Sequence, residues 1–578
     1  CVIARDAFVH HVGSASFRAA GIDLGELLAR NRDEYAQKWS TAPAAAQPRT
    51  VMPEPQQPDS VPDIAEAEAD STTSQGFRCR LSLCMIVRDN EHTIRPCLES
   101  IRPWVDEMIV VDTGSTDRTP DICRELGARV SFFEWCDDFS AARNESLRHA
   151  RGEWVFWMDS DDSIPDDCGC GLRELADGPH DPRVLGFVCQ VHCPGAGDQE
   201  LTVVDHVKLF RNRPELRFEH RIHEQILPAI RRAGGDVVLT DIHVVHSGAD
   251  HSEAGRARKL ERDFRILAKD LAERPEHPFV LFNLGMTCED AGRHDDAVDY
   301  LRRCLTVSGP DESHVRKAYA LLVSALTKAD RHDEADTVCR SALEQLTDDR
   351  ELLFRQATLH HHFGRLEDAE AAYRRILEEP AGRHLTSVDI HLADSKTRHN
   401  LALVLEDRGQ LERAREEWRE IVRRRPGYPA GWRGLGENLL RQRDHAEVET
   451  LLAAWADSPA DGPERQVLAA RLTEQRGDVA QAERILRQTL SQQPEHSGAL
   501  REICRIVFEQ HSPAAALSWL EQLSHVEPDD AAVLHNLGAA YLAAGRAADA
   551  ELVLRRSLEL RPESEVTRLL LDQAVRSR

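Results

Sequence analysis

The stretch WVFWMDSDD, residues 154–162, joins a run of five apolar residues to a cluster of three aspartates. The apolar half is typical of a buried strand, whereas Asp159, Asp161 and Asp162 repel one another and contribute nothing to a core. A turn or a helix cap accounts for one or two of these carboxylates. A divalent cation is the other explanation, because Mg²⁺ and Mn²⁺ prefer hard oxygen ligands.

The segment around this stretch alternates between short apolar runs and helical periodicity. Buried strands are predicted at four places, LSLCMIV (81–87), EMIVVD (107–112), ARVSFFEW (128–135) and WVFWMD (154–159). Helical segments separate them, and this alternation predicts an α/β domain with a parallel, Rossmann-like sheet. Ligands of such sheets bind beyond the carboxyl ends of the strands, where the motifs VRDNE, DTGSTD and DSDD all lie.

After about residue 255 a repeat replaces the strands. A small residue follows each predicted turn by five positions, and most steps between successive turns are 34 residues long. That period is typical of tetratricopeptide helix pairs, in which a small residue lets two antiparallel helices approach closely. We predict an all-α tetratricopeptide solenoid of about eight repeats, with turns at Gly292, Asp330, Gly364, Gly409, Arg443, Gly477, His511 and Gly545.

Composition narrows the classes of partner. The formal charge of −26 argues against duplex nucleic acid, whose binding requires concentrated lysine and arginine. The longest apolar runs are far shorter than the roughly 20 residues that span a bilayer, so no membrane span is predicted. Fourteen cysteines at irregular spacings are typical of scattered thiols in a reducing compartment, and we predict a cytoplasmic protein.

Residues at or near other strand ends are candidates for ligand binding. Asp112 ends the second predicted strand and is placed to accept hydrogen bonds from a base or a ribose, while Gly114 lets the backbone come close to a ligand. A cap for the next helix is the alternative reading of this loop. Arg143 is a candidate cation beside a diphosphate, although a surface amphipathic helix explains most of its segment.

The motifs LSLCMIVRDNE, VDEMIVVDTGSTDRT, FEWCDDFSAARNESL and WVFWMDSDD together resemble the family-2 glycosyltransferases of GT-A fold. The resemblance covers about residues 80–250 and points in particular to the branch with a tetratricopeptide tail, which includes SunS-like enzymes. It implies transfer of a sugar from a nucleotide-diphosphate sugar, assisted by Mg²⁺ or Mn²⁺ and usually with inversion at the anomeric carbon.

The resemblance also implies roles for individual residues. In the matching motifs, the residues that would bind the donor are Asp112, Gly114, Arg143 and Asp159. Asp159 and Asp161 would form the metal-binding DxD pair, with Asp161 as a direct ligand and a catalytic residue. The cation would neutralise charge that develops on the departing diphosphate.

Two downstream residues complete the implied site. An inverting transfer needs a base that takes the acceptor proton, and the stretch RFEHRIHEQI at 217–226 offers Glu219 and Glu224. A similar His-Glu pair in the branch favours Glu224, and an exposed carboxylate at a helix start is the alternative. His246 is a candidate third metal ligand, although lone histidines are more often structural.

The chain divides into four predicted parts. Residues 1–40 resemble the closing segment of an upstream glycosyltransferase domain, and residues 41–78 form a disordered linker rich in proline and alanine. Residues 79–255 form the GT-A domain, and residues 256–578 form the solenoid.

The repeats suggest a role in acceptor binding. We expect them to bind or position a peptide, a protein or a glycan precursor. A non-catalytic tetratricopeptide scaffold with a degenerate transferase domain is the alternative hypothesis. The intact carboxylates of Asp112, Asp159 and Asp161 argue against it, because a domain without chemistry has no reason to keep such a destabilising cluster.

Overall fold

The computed structural model describes residues 11–12, 79–194, 201–247, 252–310, 312–378 and 388–577. Two compact units make up the chain, with Cys1–Pro194, Thr202–Ala318 and Arg383–Val388 in the first and Gly195–Leu201, Tyr319–Gly382 and Asp389–Arg578 in the second. The upstream remnant at 1–40 and the linker at 41–78 lie outside the described residues, apart from the backbone of His11–Val12. Both assignments stay predictions.

The first unit contains a mixed sheet built around four parallel strands. These strands are β1 (Leu81–Val87), β2 (Glu107–Asp112), β3 (Arg129–Phe132) and β4 (Trp154–Trp157). They are followed by β5 (Asp162–Ser163), β6 (Val184–Pro194), β7 (Leu201–Arg211) and β8 (Asp236–His246). The order across the sheet is β8-β6-β7-β4-β1-β2-β3, and β7 runs antiparallel to β4. The two-residue strand His11–Val12 pairs in parallel with β8.

Helices cover both faces of this sheet. They are α1 (Ile94–Ile101), α2 (Thr119–Glu125), α3 (Phe139–His149), α4 (Asp166–Asp177) and α5 (Leu227–Arg232). One core lies between the sheet and α1, α2 and α4, and it includes Leu83, Met85, Phe156, Ile94, Leu98 and Leu172. The core on the other face includes Cys84, Val155, Trp157, Leu147 and Ile230. Strands buried on both faces read as continuous apolar runs, which is why the sequence reveals them.

The third predicted strand differs from expectation. ARVSFFEW was predicted as a buried strand over 128–135, but β3 covers only Arg129–Phe132, and its residues are exposed or half-buried. β3 pairs with β2 alone and stands at the edge of the sheet, so its side chains have a packing partner on one side only. Phe132 is 68% exposed. The prediction of a buried strand there is therefore wrong.

Helices follow the sheet through the rest of the chain. The first unit adds α6 (Glu253–Glu273), α7 (Pro278–Asp290) and α8 (His294–Val307), and α9 (Val315–Lys328) crosses the division between the units. In the second unit the helices are α10 (His332–Gln345), α11 (Arg350–His362), α12 (Leu366–Glu378), α13 (Ser395–Asp407), α14 (Leu411–Arg424), α15 (Pro429–Arg441), α16 (His445–Ala456), α17 (Pro463–Gln475), α18 (Val479–Gln492), α19 (Ser497–Gln510), α20 (Leu517–Val526), α21 (Ala531–Ala543), α22 (Ala547–Leu560) and α23 (Glu565–Arg576). The predicted architecture, an α/β domain followed by a helical solenoid, is confirmed.

The turns between paired helices are nearly uniform. Seven of the eight predicted turn positions adopt left-handed backbone, with φ of +72° at Gly292, +60° at Asp330 and +57° at Arg443 among them. The exception is His511, whose φ is −117°, and a short 3₁₀ helix, Pro513–Ala516, follows it. The residues five positions after the turns are all fully buried, namely Ala297, Ala335, Ala369, Ala414, Val448, Ala482, Ala516 and Ala550. Small buried residues at these places let the paired helices approach, as the spacing predicts.

None of the described helices is both long enough and apolar enough to cross a membrane.

Candidate active site

The carboxyl ends of three neighbouring parallel strands meet at one edge of the sheet. In the backbone register Val87 stands opposite Asp112, and Cys84 stands opposite Trp157. The VRDNE, DTGSTD and DSDD motifs therefore leave the sheet at the same edge, where the sequence predicts a ligand site. Asp112 lies two strands from the end of β4, which corresponds to about 10 Å at the usual strand spacing.

The VRDNE and DTGSTD loops hold each other through hydrogen bonds between side chains and backbone. The Asp89 carboxylate accepts the Thr116 N–H at 2.7 Å, and the Ser115 hydroxyl accepts the Asp89 N–H at 3.0 Å. Asp112 accepts the N–H of Ser115 at 3.1 Å. Gly114 has a φ of +105°, which other residues rarely adopt, and a Cβ there would meet no atom within 4 Å. The two loops thus form a cross-linked wall at the sheet edge, and the predicted nucleoside contact of Asp112 stays a prediction.

The DSDD cluster folds into a tight turn after β4. The Asp162 N–H donates to the Asp159 carbonyl at 3.1 Å, and the Asp159 N–H donates to the Asp162 carboxylate at 3.1 Å. Strand β5 then pairs antiparallel with the end of β8, which sets Asp162 opposite His246. The sequence alone left Asp162 without a role, but it is the most buried of the three aspartates, at 1% exposure.

Asp162 bonds to two cationic or basic side chains. Its Oδ2 lies 2.8 Å from the Nζ of Lys208, and its Oδ1 lies 2.9 Å from the Nδ1 of His246. Lys208 is fully buried, and its ammonium stands 4.0 Å from the centroid of the Trp157 ring. The His246 Nδ1 is also 3.4 Å from Oδ1 of Asp161. The turn is therefore tied to two strands, β7 through Lys208 and β8 through His246.

Arg143 joins two of the predicted site residues. Its Nη2 donates to Oδ1 of Asp159 at 2.5 Å, and its Nε pairs with Oε1 of Glu224. The guanidinium is buried and lies 4.2 Å from the centroid of the Trp157 ring. Its third nitrogen, Nη1, is buried and has no hydrogen-bond partner among the described residues. An anionic ligand at this edge would satisfy that donor.

Glu224 lies in a small closed loop. The backbones of Glu219 and Gln225 exchange two hydrogen bonds of 3.0 Å, which close the loop at its base. Asn144, one residue after Arg143 on α3, donates to the Phe218 carbonyl at 2.9 Å and accepts the Phe218 N–H at 2.8 Å. Helix α3 therefore fixes both the guanidinium and the base of the loop that presents the Glu224 carboxylate.

The buried cations control the charge of two carboxylates. Burial by itself would raise the pKa of Asp159 and Asp162, because it disfavours the charged form. The guanidinium of Arg143 outweighs this effect and holds the pKa of Asp159 below its usual value. Lys208 has the corresponding effect and holds the pKa of Asp162 well below its usual value. Both carboxylates are therefore ionised near neutral pH.

The pKa values of Asp161 and His246 shift in the opposite direction, above their usual values. Burial raises the pKa of Asp161, and the neighbouring Asp159 and Asp162 raise it further, against an opposing effect of His246. The hydrogen bond to Asp162 is the largest influence on His246 and raises its pKa to about 9, although burial opposes it. The protonated imidazole therefore balances part of the negative charge of the neighbouring aspartates.

Three residues could hold a divalent cation together. Asp159, Asp162 and His246 each offer a ligand atom, and these atoms all lie within 4.8 Å of one another. Two carboxylates and one imidazole suit Mg²⁺ or Mn²⁺. This group contains Asp159 and His246 of the predicted metal set and adds Asp162, while Asp161 lies beside it through its contact with His246.

Sequence reasoning missed Lys208 and the role of Asp162. Lys208 lies in the strand segment VVDHVKLF, on the same side as the apolar residues Val204 and Phe210. A lysine at an inward position of a central strand signals a buried partner. Its partner is distant in the sequence, so no local pattern identifies Asp162.

A polar site at the carboxyl edge of an α/β sheet, followed by regular helix pairs, defines a ligand-binding domain joined to a repeat solenoid. Known families match both parts. The model for "Glycosyl transferase family 2" matches residues 82–239. Models for "Tetratricopeptide repeat" match residues 280–315, 318–384, 399–463, 474–539 and 507–571.

Individual proteins resemble the chain as well. A TPR repeat-containing protein from Synechococcus elongatus is 30% identical over 353 residues, which cover 60% of this chain and 76% of that protein. The glycosyltransferase SunS of the SPbeta prophage in Bacillus subtilis is 26% identical over 255 residues. That match covers 43% of this chain and 59% of SunS. A solved tetratricopeptide repeat protein from Parabacteroides merdae matches with 17% identity and a TM-score of 0.34, covering 52% of this chain and 98% of that one.

The chain belongs to the family-2 glycosyltransferases that carry tetratricopeptide repeats. The hypothesis of a glycosyltransferase is thereby confirmed. The assigned site roles all stay predictions, namely those of Asp112, Gly114, Arg143, Asp159, Asp161, Glu224 and His246.

Proposed function

We propose that the protein transfers a sugar from a nucleotide-diphosphate sugar to an acceptor, with a divalent cation and with inversion at the anomeric carbon. One observation carries this proposal, the ion-pair chain in which Arg143 joins Asp159 to Glu224. A displacement at one carbon needs a group that stabilises the leaving diphosphate and a base on the acceptor side. The guanidinium holds Glu224, the candidate base, and Asp159, a candidate ligand of the cation that would stabilise the diphosphate.

The donor nucleotide would lie along the carboxyl edge of the sheet. Asp112 and Gly114 would meet the nucleoside at the cross-linked wall of the VRDNE and DTGSTD loops. Arg143 would face the diphosphate, and its unpaired Nη1 supports that position. Asp159 would contact the donor at the end of β4.

Asp159, Asp162 and His246 would hold the cation, with Asp161 as the direct ligand that the family resemblance implies. When bound, Mg²⁺ or Mn²⁺ supplies a Lewis acid that neutralises charge on the departing diphosphate. Lys208 keeps Asp162 ionised, and an ionised carboxylate is the form that can act as a ligand.

Glu224 would act as the base of the reaction. It would take the proton from the acceptor nucleophile as the new glycosidic bond forms. The ion pair with Arg143 and the closed loop from Glu219 to Gln225 orient its carboxylate. Glu224 is preferred to Glu219, because Glu224 shares Arg143 with Asp159, whereas Glu219 pairs with Arg232 on α5.

The repeats would bind or position the acceptor, a peptide, a protein or a glycan precursor. Stacked helix pairs offer an extended surface that suits a linear ligand. A groove of about 880 Å³ in the second unit supports this role, and charged residues on the first helices of three successive pairs line it, including Arg433, Glu464, Arg471 and Arg501. We expect the enzyme to act in the cytoplasm, because no cysteine in the described ranges forms a disulfide.

The test is a screen of nucleotide sugars for donor hydrolysis and transfer, with Mn²⁺ or Mg²⁺, using the full chain. We expect turnover of at least one donor, loss of turnover in a chelator, and a large loss in Asp161→Ala. Asp121→Ala, which alters an exposed carboxylate on α2, is the matched control and should keep full activity. No turnover of any donor, or equal turnover by Asp161→Ala, would contradict the proposal.

A further inference from the structure

Helix α6 connects the sheet domain to the repeats and lies outside both families' matched residues. The glycosyltransferase match ends at residue 239, and the first repeat match begins at residue 280. The helix covers Glu253–Glu273 between them. Within the first unit it contacts two loops of the sheet domain, one before α3 and the other the closed loop that carries Glu224.

The tip of the Glu224 loop packs on the helices that follow the sheet. Ile222 is 4% exposed and belongs to a small separate core with Ile266 and Leu267 of α6 and with Val280 and Leu284 of α7. This core contains no strand residue. The part of the loop that carries Ile222 is therefore buried by helices rather than by the sheet.

The backbone of this loop is strained. His220 and His223 have φ values of +75° and +54°, a left-handed conformation that residues other than glycine rarely adopt. The His220 ring lies against Phe279, with centroids 4.6 Å apart. Such a conformation persists only where surrounding contacts enforce it, and here those contacts come from α6 and α7.

Arg221 adds an ionic anchor next to Ile222. Its Nη2 donates to Glu273 at 2.6 Å, and its Nε lies 3.8 Å from Asp270, a carboxylate of α6 that is almost fully buried. The Arg221 carbonyl accepts the Phe139 N–H at 2.8 Å, which ties the loop to the first residue of α3.

The second loop is anchored to the same helix. Asp137 has a φ of +57° and pairs with Arg265 at 3.0 Å and with Lys269 at 2.6 Å, both from α6. The Arg262 guanidinium lies 5.4 Å from the ring centroid of Phe139. Helix α6 thus holds the start of α3, which carries Arg143, as well as the loop that carries Glu224.

We propose that α6 is part of the active site and that Arg221 and Ile222 are positioning residues that hold the Glu224 carboxylate against Arg143. This inference rests on the proposed role of Glu224 as the base. Docking of the loop on α6 and α7 sets the distance between the carboxylate and the acceptor, while the donor pocket is built from the sheet edge. Loss of the docking contacts therefore impairs the transfer step and leaves nucleotide binding intact.

The test compares four variants of the full chain, Ile222→Ala, Ile222→Val, Arg221→Gln and Ile122→Ala. Ile122 is a similarly buried isoleucine on α2, so Ile122→Ala controls for a general loss of core packing. Amide hydrogen exchange reports the order of residues 217–226 and needs no substrate. We expect exchange there to accelerate about tenfold or more in Ile222→Ala and Arg221→Gln, with β1 unchanged, and to stay slow in Ile222→Val and Ile122→Ala.

Kinetics with the donor found by the screen provide the second readout. We expect kcat to fall about 100-fold in Ile222→Ala, because a displacement of about 1 Å has such an effect, with near-complete recovery in Ile222→Val. The affinity for uridine or guanosine diphosphate with Mn²⁺ should change less than about twofold. A merely structural defect would lower nucleotide affinity together with kcat.

The two proposals fail in distinguishable ways. If the unaltered protein turns over no nucleotide sugar, the proposed function fails, and the exchange of residues 217–226 still decides whether α6 orders the loop. Unchanged exchange in Ile222→Ala and Arg221→Gln, or a fall in kcat no larger than that of Ile122→Ala, would overturn the positioning role. If Ile222→Ala does not fold, Arg221→Gln takes its place in the comparison. If Arg221→Gln does not fold, Ile222→Ala serves alone.

Discussion

Two buried cations decide the charge state of the carboxylate cluster. Arg143 and Lys208 both contact the Trp157 ring, at 4.2 and 4.0 Å from its centroid. Each pairs with a different aspartate of the DSDD turn. The indole face favours cations in a water-poor place, and its Nε1–H donates to the Val207 carbonyl at 2.8 Å. Trp157 thus links the apolar strand to the acidic turn that follows it.

Lys208→Met should destabilise the protein strongly. The substitution leaves the buried Asp162 carboxylate without its closest cation, which typically costs about 3 to 5 kcal/mol. Chemical unfolding of the full chain, followed on the transition of the sheet domain, measures the change. Lys259→Met on the exposed side of α6 is the control and should have little effect.

The same variant provides a test of the cation site. Because Mn²⁺ would neutralise the unpaired carboxylate, thermal stabilisation by Mn²⁺ should be larger in Lys208→Met than in the unaltered protein. Equal stabilisation in the two proteins would argue against a cation beside Asp162.

Glu224→Gln should lower the rate of transfer about 10² to 10⁴-fold, the usual effect of removing a general base. The amide keeps the shape of the carboxylate, so the affinity for the nucleotide should remain close to that of the unaltered protein. Steady-state kinetics with the donor and acceptor found by screening measure the change.

Glu219→Gln is the matched control for this prediction. Glu219 lies in the same loop, but its carboxylate pairs with Arg232 rather than with Arg143. An equal loss of rate in the two variants would show that loop order, and not proton transfer, limits the reaction.

The sequence could predict the site only in part. Asp159, Arg143, Glu224 and His246 were selected individually from motifs, and the structure brings them into one connected cluster. The central place of Asp162 was not predictable, because it depends on Lys208 in another strand. Burial sets these roles, and the pattern of aspartates alone does not reveal burial.

At the scale of single elements, the turns show which predictions follow from local chemistry. Glycine at a helix end indicates a left-handed residue, and the repeat carries that expectation to Asp330 and Arg443, where no glycine is present. The strand β3 shows the reverse case. Its apolar residues predict burial, but its edge position in the sheet, which local sequence does not encode, leaves them exposed.

Arg443→Gly should stabilise the solenoid. Arg443 is exposed and has a φ of +57°, which costs a side chain about 1 to 2 kcal/mol, and glycine removes that strain. The added flexibility of the unfolded chain offsets about 0.5 to 1 kcal/mol, so the net gain is at most about 1.5 kcal/mol. Calorimetric unfolding of the full chain should show a higher Tm for the transition of the second unit.

His511→Gly should instead destabilise the solenoid. Its φ of −117° lies outside the left-handed region, so glycine relieves no such strain. Glycine also removes the contact with Glu483 and raises the entropy of the unfolded state, which costs about 0.5 to 1 kcal/mol. A gain of stability in both variants, or in neither, would show that turn strain does not govern the stability of these helix pairs.

At the scale of the whole molecule, charge is the dominant property. Acidic residues outnumber basic ones, 99 to 73, while the expected donor is itself an anion. The long-range field therefore opposes nucleotide binding, and the cation at the site would have to overcome it. The two buried cations supply little long-range attraction, because carboxylates already offset their charges, although Nη1 of Arg143 can still donate a hydrogen bond to a ligand at the site.

Nucleoside diphosphate binding should respond to salt in an unusual direction. In a chelator, we expect affinity to rise between about 10 and about 100 mM salt, because the Debye length falls from about 30 to about 10 Å and screens the repulsion. The uncharged nucleoside is the control and should show no such change. Titration calorimetry measures both, and affinity that falls with salt in the chelator would point to a local excess of positive charge.

The contacts of α6 with the sheet domain affect how this gene can be divided. A fusion that swaps repeat arrays between related transferases would naturally be cut near residue 255, where the strands stop. Such a cut would exchange the surface on which Ile222 and Arg221 rest, so the recipient transferase would inherit a foreign partner for its own loop. A junction after α7 keeps that surface native, and a shuffled library built there should yield more active chimeras than one built before α6.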